Sequence, residues 1–144
     1  MVAKADILVV DDDDLFRSYL DHALTHEGHQ VVAVESGEAA LACIADREFD
    51  LALIDLKMDG LGGMEVLAAV RERWPDTVVI LLTGYPTLET VFEALKRGAY
   101  DYAFKPCRIP ELRESVSKGL ALRLQLLQRR ESLAEKPSPL TRGE

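Results

Sequence analysis

Five short apolar runs punctuate this chain: residues 5–10, 30–34, 51–54, 78–82 and 102–104. They are dominated by valine, isoleucine, leucine and aromatic residues and are too short for helices. Apolar at consecutive rather than alternate positions, the longer ones predict strands buried on both faces of a parallel sheet. Between them the apolar positions recur at helical spacing. Phe16, Leu20, Ala23 and Leu24 make one face, closed by Glu27-Gly28. Ala40, Leu41 and Ile44 make a second, behind Ser36 as N-cap and Glu38 in the first turn. Residues 57–63 hold three glycines and no periodicity, so they read as a loop. Val66, Leu67 and Val70 then mark a helix over residues 64–74, stopped by Pro75. Thr87 caps a fourth helix with Val91, Ala94 and Leu95 on one face and Gly98 at its end. A fifth begins near Pro110, a residue suited to a first turn.

Strict strand–helix alternation, five times over, predicts an α/β fold: a doubly wound, five-stranded parallel sheet with right-handed crossovers and helices on both faces. The length of 144 residues and a hydrophobic fraction of 48% suit one domain with one ordinary core. A net charge of −8 argues against direct nucleic-acid binding by this domain, which needs a basic surface. No apolar run reaches the length of a membrane span and no signal-peptide pattern opens the chain, so the expectation is a cytoplasmic protein without membrane contact. Cys43 and Cys107 are too few and too far apart for a disulfide framework and read as reduced thiols.

The chemistry gathers at the strand ends. The first apolar run stops in four consecutive aspartates, Asp11 to Asp14, and crowded carboxylates ionise fully only when a cation or hydrogen bonds compensate. The third run ends in Asp55, the fourth in Thr83 and the fifth in Lys105. In an open parallel sheet all these carboxyl ends lie on one rim, where ligands bind. A lone Asp, Thr or Lys after a strand means little, since most cap helices or face solvent. Two acidic ends, a hydroxyl and an ammonium together suit phosphoryl transfer to a carboxylate. A hard cation and the ammonium then offset the charge of an anionic nucleophile meeting an anionic donor. Asp13 and Asp14 are better placed to cap the first helix, and His22 and His26, four apart, read as a solvated flank for want of a third ligand.

With Ile7-Leu-Val-Val-Asp-Asp-Asp, Leu51-Ala-Leu-Ile-Asp55-Leu, Ile80-Leu-Leu-Thr83-Gly84 and Phe104-Lys105-Pro106 in order, the chain resembles the receiver domain of two-component response regulators. The pattern is most similar to receivers of nitrogen-regulatory, enhancer-binding activators, and it covers residues 6–118. The resemblance implies the flavodoxin-like strand order 2-1-3-4-5 and a phosphoacceptor role for Asp55. It implies Mg²⁺, with Mn²⁺ as a substitute, held by Asp11, Asp12, Asp55 and the backbone carbonyl of Lys57. It further implies phosphoryl contacts from Thr83, Gly84 and Lys105, and a switch in which Thr83 moves and Tyr102 turns inward. That switch would remodel the surface of the fourth helix, fifth strand and fifth helix. Lys57 and Tyr85 take positions that tune the lifetime of the phosphoryl group, and Lys105-Pro106 is expected to be cis. The implied partner is a sensor histidine kinase or phosphotransfer protein. One departure stands out: Asp59 replaces a usual proline, and is expected to alter loop rigidity or metal affinity, which a Mg²⁺ titration of Asp59→Pro reads.

Two rival readings share these residues. Asp11-x-Asp13, Thr83 and Lys105 also resemble haloacid-dehalogenase-type phosphatases, but the later acidic pair is missing, Glu111 and Glu114 falling inside a helix. A receiver-like adaptor that works without phosphorylation is the other. The expected layout is a receiver over residues 1–118, an extension of its last helix over 119–134 and a disordered tail over 135–144. In the extension Leu112, Val116, Leu120, Leu124 and Leu127 form one stripe, and Leu122, Leu126 and Leu133 a second. Arg123 and Glu131 interrupt the heptad register, and Gly119 is expected to weaken the helix where the compact body ends. Self-association as a homodimer is the use this segment suggests.

Overall fold

In a computed structural model that describes residues 4–135, strands and helices alternate throughout. The strands are β1 (Asp6–Val10), β2 (Gln30–Val34), β3 (Leu51–Asp55), β4 (Val78–Thr83) and β5 (Asp101–Phe104). The helices are α1 (Asp14–His26), α2 (Gly37–Asp46), α3 (Gly63–Arg73), α4 (Leu88–Lys96) and α5 (Ile109–Glu135). All strands pair in parallel, in the order β2-β1-β3-β4-β5, as the resemblance implied.

The absence of alternation in the apolar runs has a direct cause. Leu8, Val10, Ala52, Ile54, Val79 and Leu81 point into one core layer with α2, α3 and α4. Their neighbours Ile7, Val9, Leu51, Leu53, Val78, Ile80 and Leu82 point into the opposite layer with α1 and α5. Each fully buried Val, Leu or Ile contributes roughly 1.5–3 kcal/mol, so β1, β3 and β4 carry most of the core. The sheet's two outer strands, β2 and β5, are only half-buried. The helix ends match their sequence signals: Asp13, Ser36 and Thr87 accept backbone N–H groups as N-caps, and α1 and α4 stop before Gly28 and Gly98 at φ +97° and +98°. The Lys105-Pro106 bond is cis.

Two helices add to what the apolar pattern shows. On α4 Val91, Ala94 and Leu95 share a face but not an environment: only Ala94 is buried, Val91 is half-buried, and Leu95 is 51% exposed. Leu88 and Phe92 join Leu95 in a stripe turned to solvent. This short helix lies beside the edge strand β5, which offers one flank to pack against. On α5, Gly119 does not interrupt the helix. It is buried against Leu51 and Val78, so close that an added Cβ would lie 2.9 Å from a Leu51 methyl, and the helix runs unbroken for 27 residues. At 1.5 Å per residue that is about 40 Å, twice the depth of the sheet.

Arg123, read as a break in the apolar seam, is also placed differently: it is 6% exposed beneath the N-terminal ends of β3 and β4. Its guanidinium reaches Glu48 Oε2 at 2.9 Å, Asp50 Oδ1 at 3.0 Å and the Asp76 carbonyl at 3.0 Å. Leu122 and Leu126 pack on the core layer shared by α1 and α5, while Leu124 and Leu133 are exposed. The tail expected at the chain's end lies, beyond Glu135, outside the described residues.

Candidate functional site

The ends of β1, β3, β4 and β5 meet on one rim. Asp11 follows β1, is fully buried, and is held at three points. Its N–H donates to Val34 O (3.1 Å), its Oδ1 accepts the Asp13 N–H (2.9 Å), and its carbonyl accepts Arg17 Nη1 (2.8 Å). Asp12, next to it, is exposed. Asp55 closes the central strand and is 5% exposed. Carboxylate oxygens of Asp11, Asp12 and Asp55 all lie within 4.8 Å of one another. Asp13 does not join them: its side chain accepts the N–H groups of Leu15 and Phe16. His22 and His26 are exposed on α1 and apart from the cluster.

Lys105 brings the positive charge that pairs with these carboxylates. Its backbone N–H is tied to Thr83 O at 2.6 Å, and its ammonium lies 2.7 Å from Asp11 Oδ2 and 3.5 Å from Asp55 Oδ1. The closer contact gives the buried Asp11 Oδ2 the ammonium as its ionic partner. Burial, and then the charge of Asp11, push the Asp55 carboxyl up to about 6, with Lys105 pulling the other way. Burial pulls Lys105 down, but Asp11 and Asp55 outweigh it and hold the ammonium above its usual range.

Three carboxylates against one ammonium leave excess negative charge. Hard oxygen donors from Asp11, Asp12 and Asp55 this close together fit a small divalent cation. The cluster therefore suits Mg²⁺ by the chemistry of its donors.

The remaining predicted residues surround this cluster. Thr83 is buried, and its Oγ1 accepts the Tyr85 N–H at 3.1 Å. At Gly84 an added Cβ would meet only Lys105 Cβ, at 4.0 Å. The Lys57 ammonium stands 5.1 Å over the Tyr85 ring, linking the β3–α3 and β4–α4 loops. Tyr102 is half-buried, and its hydroxyl donates to Thr90 Oγ1 at 3.0 Å. Asp59 is exposed, just before Gly60 at φ +76°. Sequence reasoning missed Arg17, whose guanidinium joins the Asp11 carbonyl to Asp14 at 2.6 Å. Its place one turn into a helix behind an acidic strand end was the available signal.

The family described as response regulator receiver domain matches residues 7–117. The chain belongs to that family. It is a receiver domain of two-component signalling, homologous to receivers that are phosphorylated. The transcriptional regulatory protein ZraR of Salmonella typhimurium is 38% identical over 135 residues, which are 94% of this chain and 29% of that protein. Among solved structures, a CheY-like receiver from Methanospirillum hungatei superposes with a TM-score of 0.82 at 31% identity, covering 85% of this chain and 98% of that one. NtrX from Brucella abortus, solved with ADP, gives 0.82 at 31% identity, covering 95% of this chain and 31% of its own. The chain thus spans under a third of the length of ZraR and of NtrX. The phosphatase alternative is disfavoured by this family membership and by the use of Asp13 as a helix cap. Among the described residues no helix is long and apolar enough to cross a membrane.

Proposed function

We propose that this receiver takes a phosphoryl group onto Asp55 from the phosphohistidine of a sensor kinase or phosphotransfer protein. The observation that carries the reading is a nearly buried strand-end carboxylate with two more carboxylates and one ammonium around it. An Asp55 oxygen attacks phosphorus, the P–N bond to the donor imidazole breaks, and an acyl phosphate forms while the imidazole recovers a proton. Asp55 acts in its ionised form. Asp11, Asp12, Asp55 and the Lys57 carbonyl are the residues to hold Mg²⁺, which when bound supplies positive charge to the transferring oxygens. Lys105 supplies the same charge from the side of β5. The receiver promotes its own phosphorylation and dephosphorylation and catalyses no other reaction.

The readout follows from groups now engaged elsewhere. The Thr83 hydroxyl, at present an acceptor for Tyr85 N–H, has its own proton free to donate to a phosphoryl oxygen, and the Gly84 N–H adds a second donor. Movement of Thr83 leaves room for Tyr102 to turn inward, giving up its bond to Thr90 on α4. The outward stripe Leu88, Phe92 and Leu95, with Phe104 on β5, is the surface this biases. Lys57 and Tyr85, paired across the mouth of the site, set how readily water reaches the acyl phosphate. We take residues 1–118 as the receiver body and 119–134 as an extension used in self-association. A cytoplasmic location suits a domain that meets a kinase there.

Incubation with Mg²⁺ and acetyl phosphate, followed by intact mass, tests the reading. One added phosphoryl group that Asp55→Asn abolishes is the expected result. No adduct with any donor leaves the adaptor reading, and turnover of phosphate esters that requires Asp11 revives the phosphatase.

A further inference from the structure

The ammonium of Lys105 has a neighbour besides its two carboxylates. It lies over the ring of Phe16, 4.6 Å from the centroid, with the lysine side chain 18% exposed. A four-carbon stem carrying a point charge has many rotamers, and two carboxylates on one side leave most of them open. The negative face of an aromatic ring on another side removes that freedom without adding a charge.

Phe16 is well held for such a task. Its N–H donates to Asp13 Oδ1 at 3.2 Å, so the N-cap of α1 fixes its backbone. The ring packs on the core layer shared by α1 and α5, with Tyr19 at 6.2 Å between centroids. The next residue, Arg17, holds the Asp11 carbonyl. One turn of α1 therefore grips both members of the Asp11–Lys105 pair, Asp11 through its backbone and Lys105 through its charge.

We propose that Phe16 is a positioning residue for Lys105: its ring face keeps the ammonium over the site while the charges of Asp11 and Asp55 change. This rests on the reading of Asp55 as phosphoacceptor. In that reading a cation takes up charge from Asp11, and Asp55 becomes an acyl phosphate. Both partners that now hold the ammonium are altered in the reaction, and the ring is not.

The test compares Phe16→Leu, which keeps apolar bulk without a ring, with Phe16→Tyr, which keeps the ring. The Lys105 Hε protons, assigned by NMR, are displaced by the ring current in the wild type and in Phe16→Tyr, and return to ordinary lysine positions in Phe16→Leu. Phosphorylation by acetyl phosphate with Mg²⁺ slows roughly three- to tenfold in Phe16→Leu and is restored within about twofold in Phe16→Tyr. Unchanged Lys105 shifts in Phe16→Leu, a wild-type rate in that variant, or failure of Phe16→Tyr to restore the rate overturns the proposal. The two failures are separable. A wild-type protein that takes no phosphoryl group overturns the reading of Asp55, whereas a normal adduct with an indifferent Phe16→Leu overturns the role of Phe16 alone.

Discussion

At the C-terminal rim of the sheet three carboxylates cluster beside one ammonium that pairs with two of them, whereas at the N-terminal rim three carboxylates share two guanidinium groups. Glu48, Asp50 and Asp76 meet Arg123 and Arg130 there, with Arg130 3.1 Å from Glu48 and 3.7 Å from Asp76. The Asp50 carboxylate also accepts the Asp6 N–H at 2.8 Å, joining β1 to β3. The titration of the two rims differs in sign. Burial pushes Glu48 up, but Arg123 and Arg130 more than reverse this and hold it below the usual carboxylate range. Asp55, buried beside Asp11, is pushed up to about 6. Charge that is matched locks elements together, while charge left in excess is a stored demand for a cation. The same sheet carries a clasp at one end and the proposed phosphoacceptor site at the other.

Substitutions should therefore act oppositely at the two rims. The largest effect belongs to Arg123→Ala, which leaves Glu48 and Asp50 facing each other without their shared partner. A loss of about 2–3 kcal/mol in urea unfolding is expected, below the fully buried case because the two acids are 20% and 25% exposed. Phosphorylation of the folded variant should be unchanged; a loss under about 0.5 kcal/mol would mean that the clasp is ornamental.

Asp55→Asn should instead stabilise the metal-free protein. Its folded pKa, about 6, lies above the unfolded value of 3.8. The stability it contributes is thus complete below the unfolded pKa and is lost as pH rises through the folded one. The gain from Asn is therefore near zero at pH 3, grows between about pH 4 and 6, and levels off on the order of 2–3 kcal/mol by pH 8. A gain independent of pH, or a loss at pH 8, would show that the carboxylate excess is already neutralised.

Mg²⁺ separates the rims by ligand. At ten times its dissociation constant it should stabilise the wild type by about 1.4 kcal/mol at pH 7.5 and Arg123→Ala equally, while doing less for Asp55→Asn at the same concentration. Equal stabilisation of all three would move the cation away from the Asp55 rim.

The sequence made one of these rims far more legible than the other. Strands buried on both faces advertise themselves, and their ends fall where the apolar runs stop, so Asp11, Asp55, Thr83 and Lys105 could be collected from pattern alone. Asp13, Ser36 and Thr87 were readable because capping is a local affair of three residues. Arg123 was not, since a charge inside a helical pattern reads as solvated unless its partners are known, and Glu48, Asp50 and Asp76 lie 47 or more residues away. The outward stripe of α4 is hidden for a related reason. Periodicity says which residues share a face but not which way that face turns, and only the position of α4 beside an edge strand decides it. The contact of Phe16 with Lys105 joins two distant elements and leaves no local mark.

On the function proposed above, the unmatched charge at the C-terminal rim serves phosphoryl transfer to one carboxylate. Borohydride reduction of the chain after acetyl phosphate treatment, followed by peptide mapping, reads it directly, because an acyl phosphate is reduced to an alcohol where a free carboxylate is not. Homoserine at position 55 alone, and only when Mg²⁺ was present, is the predicted result. Homoserine at another aspartate, or at position 55 without any divalent cation, would contradict it.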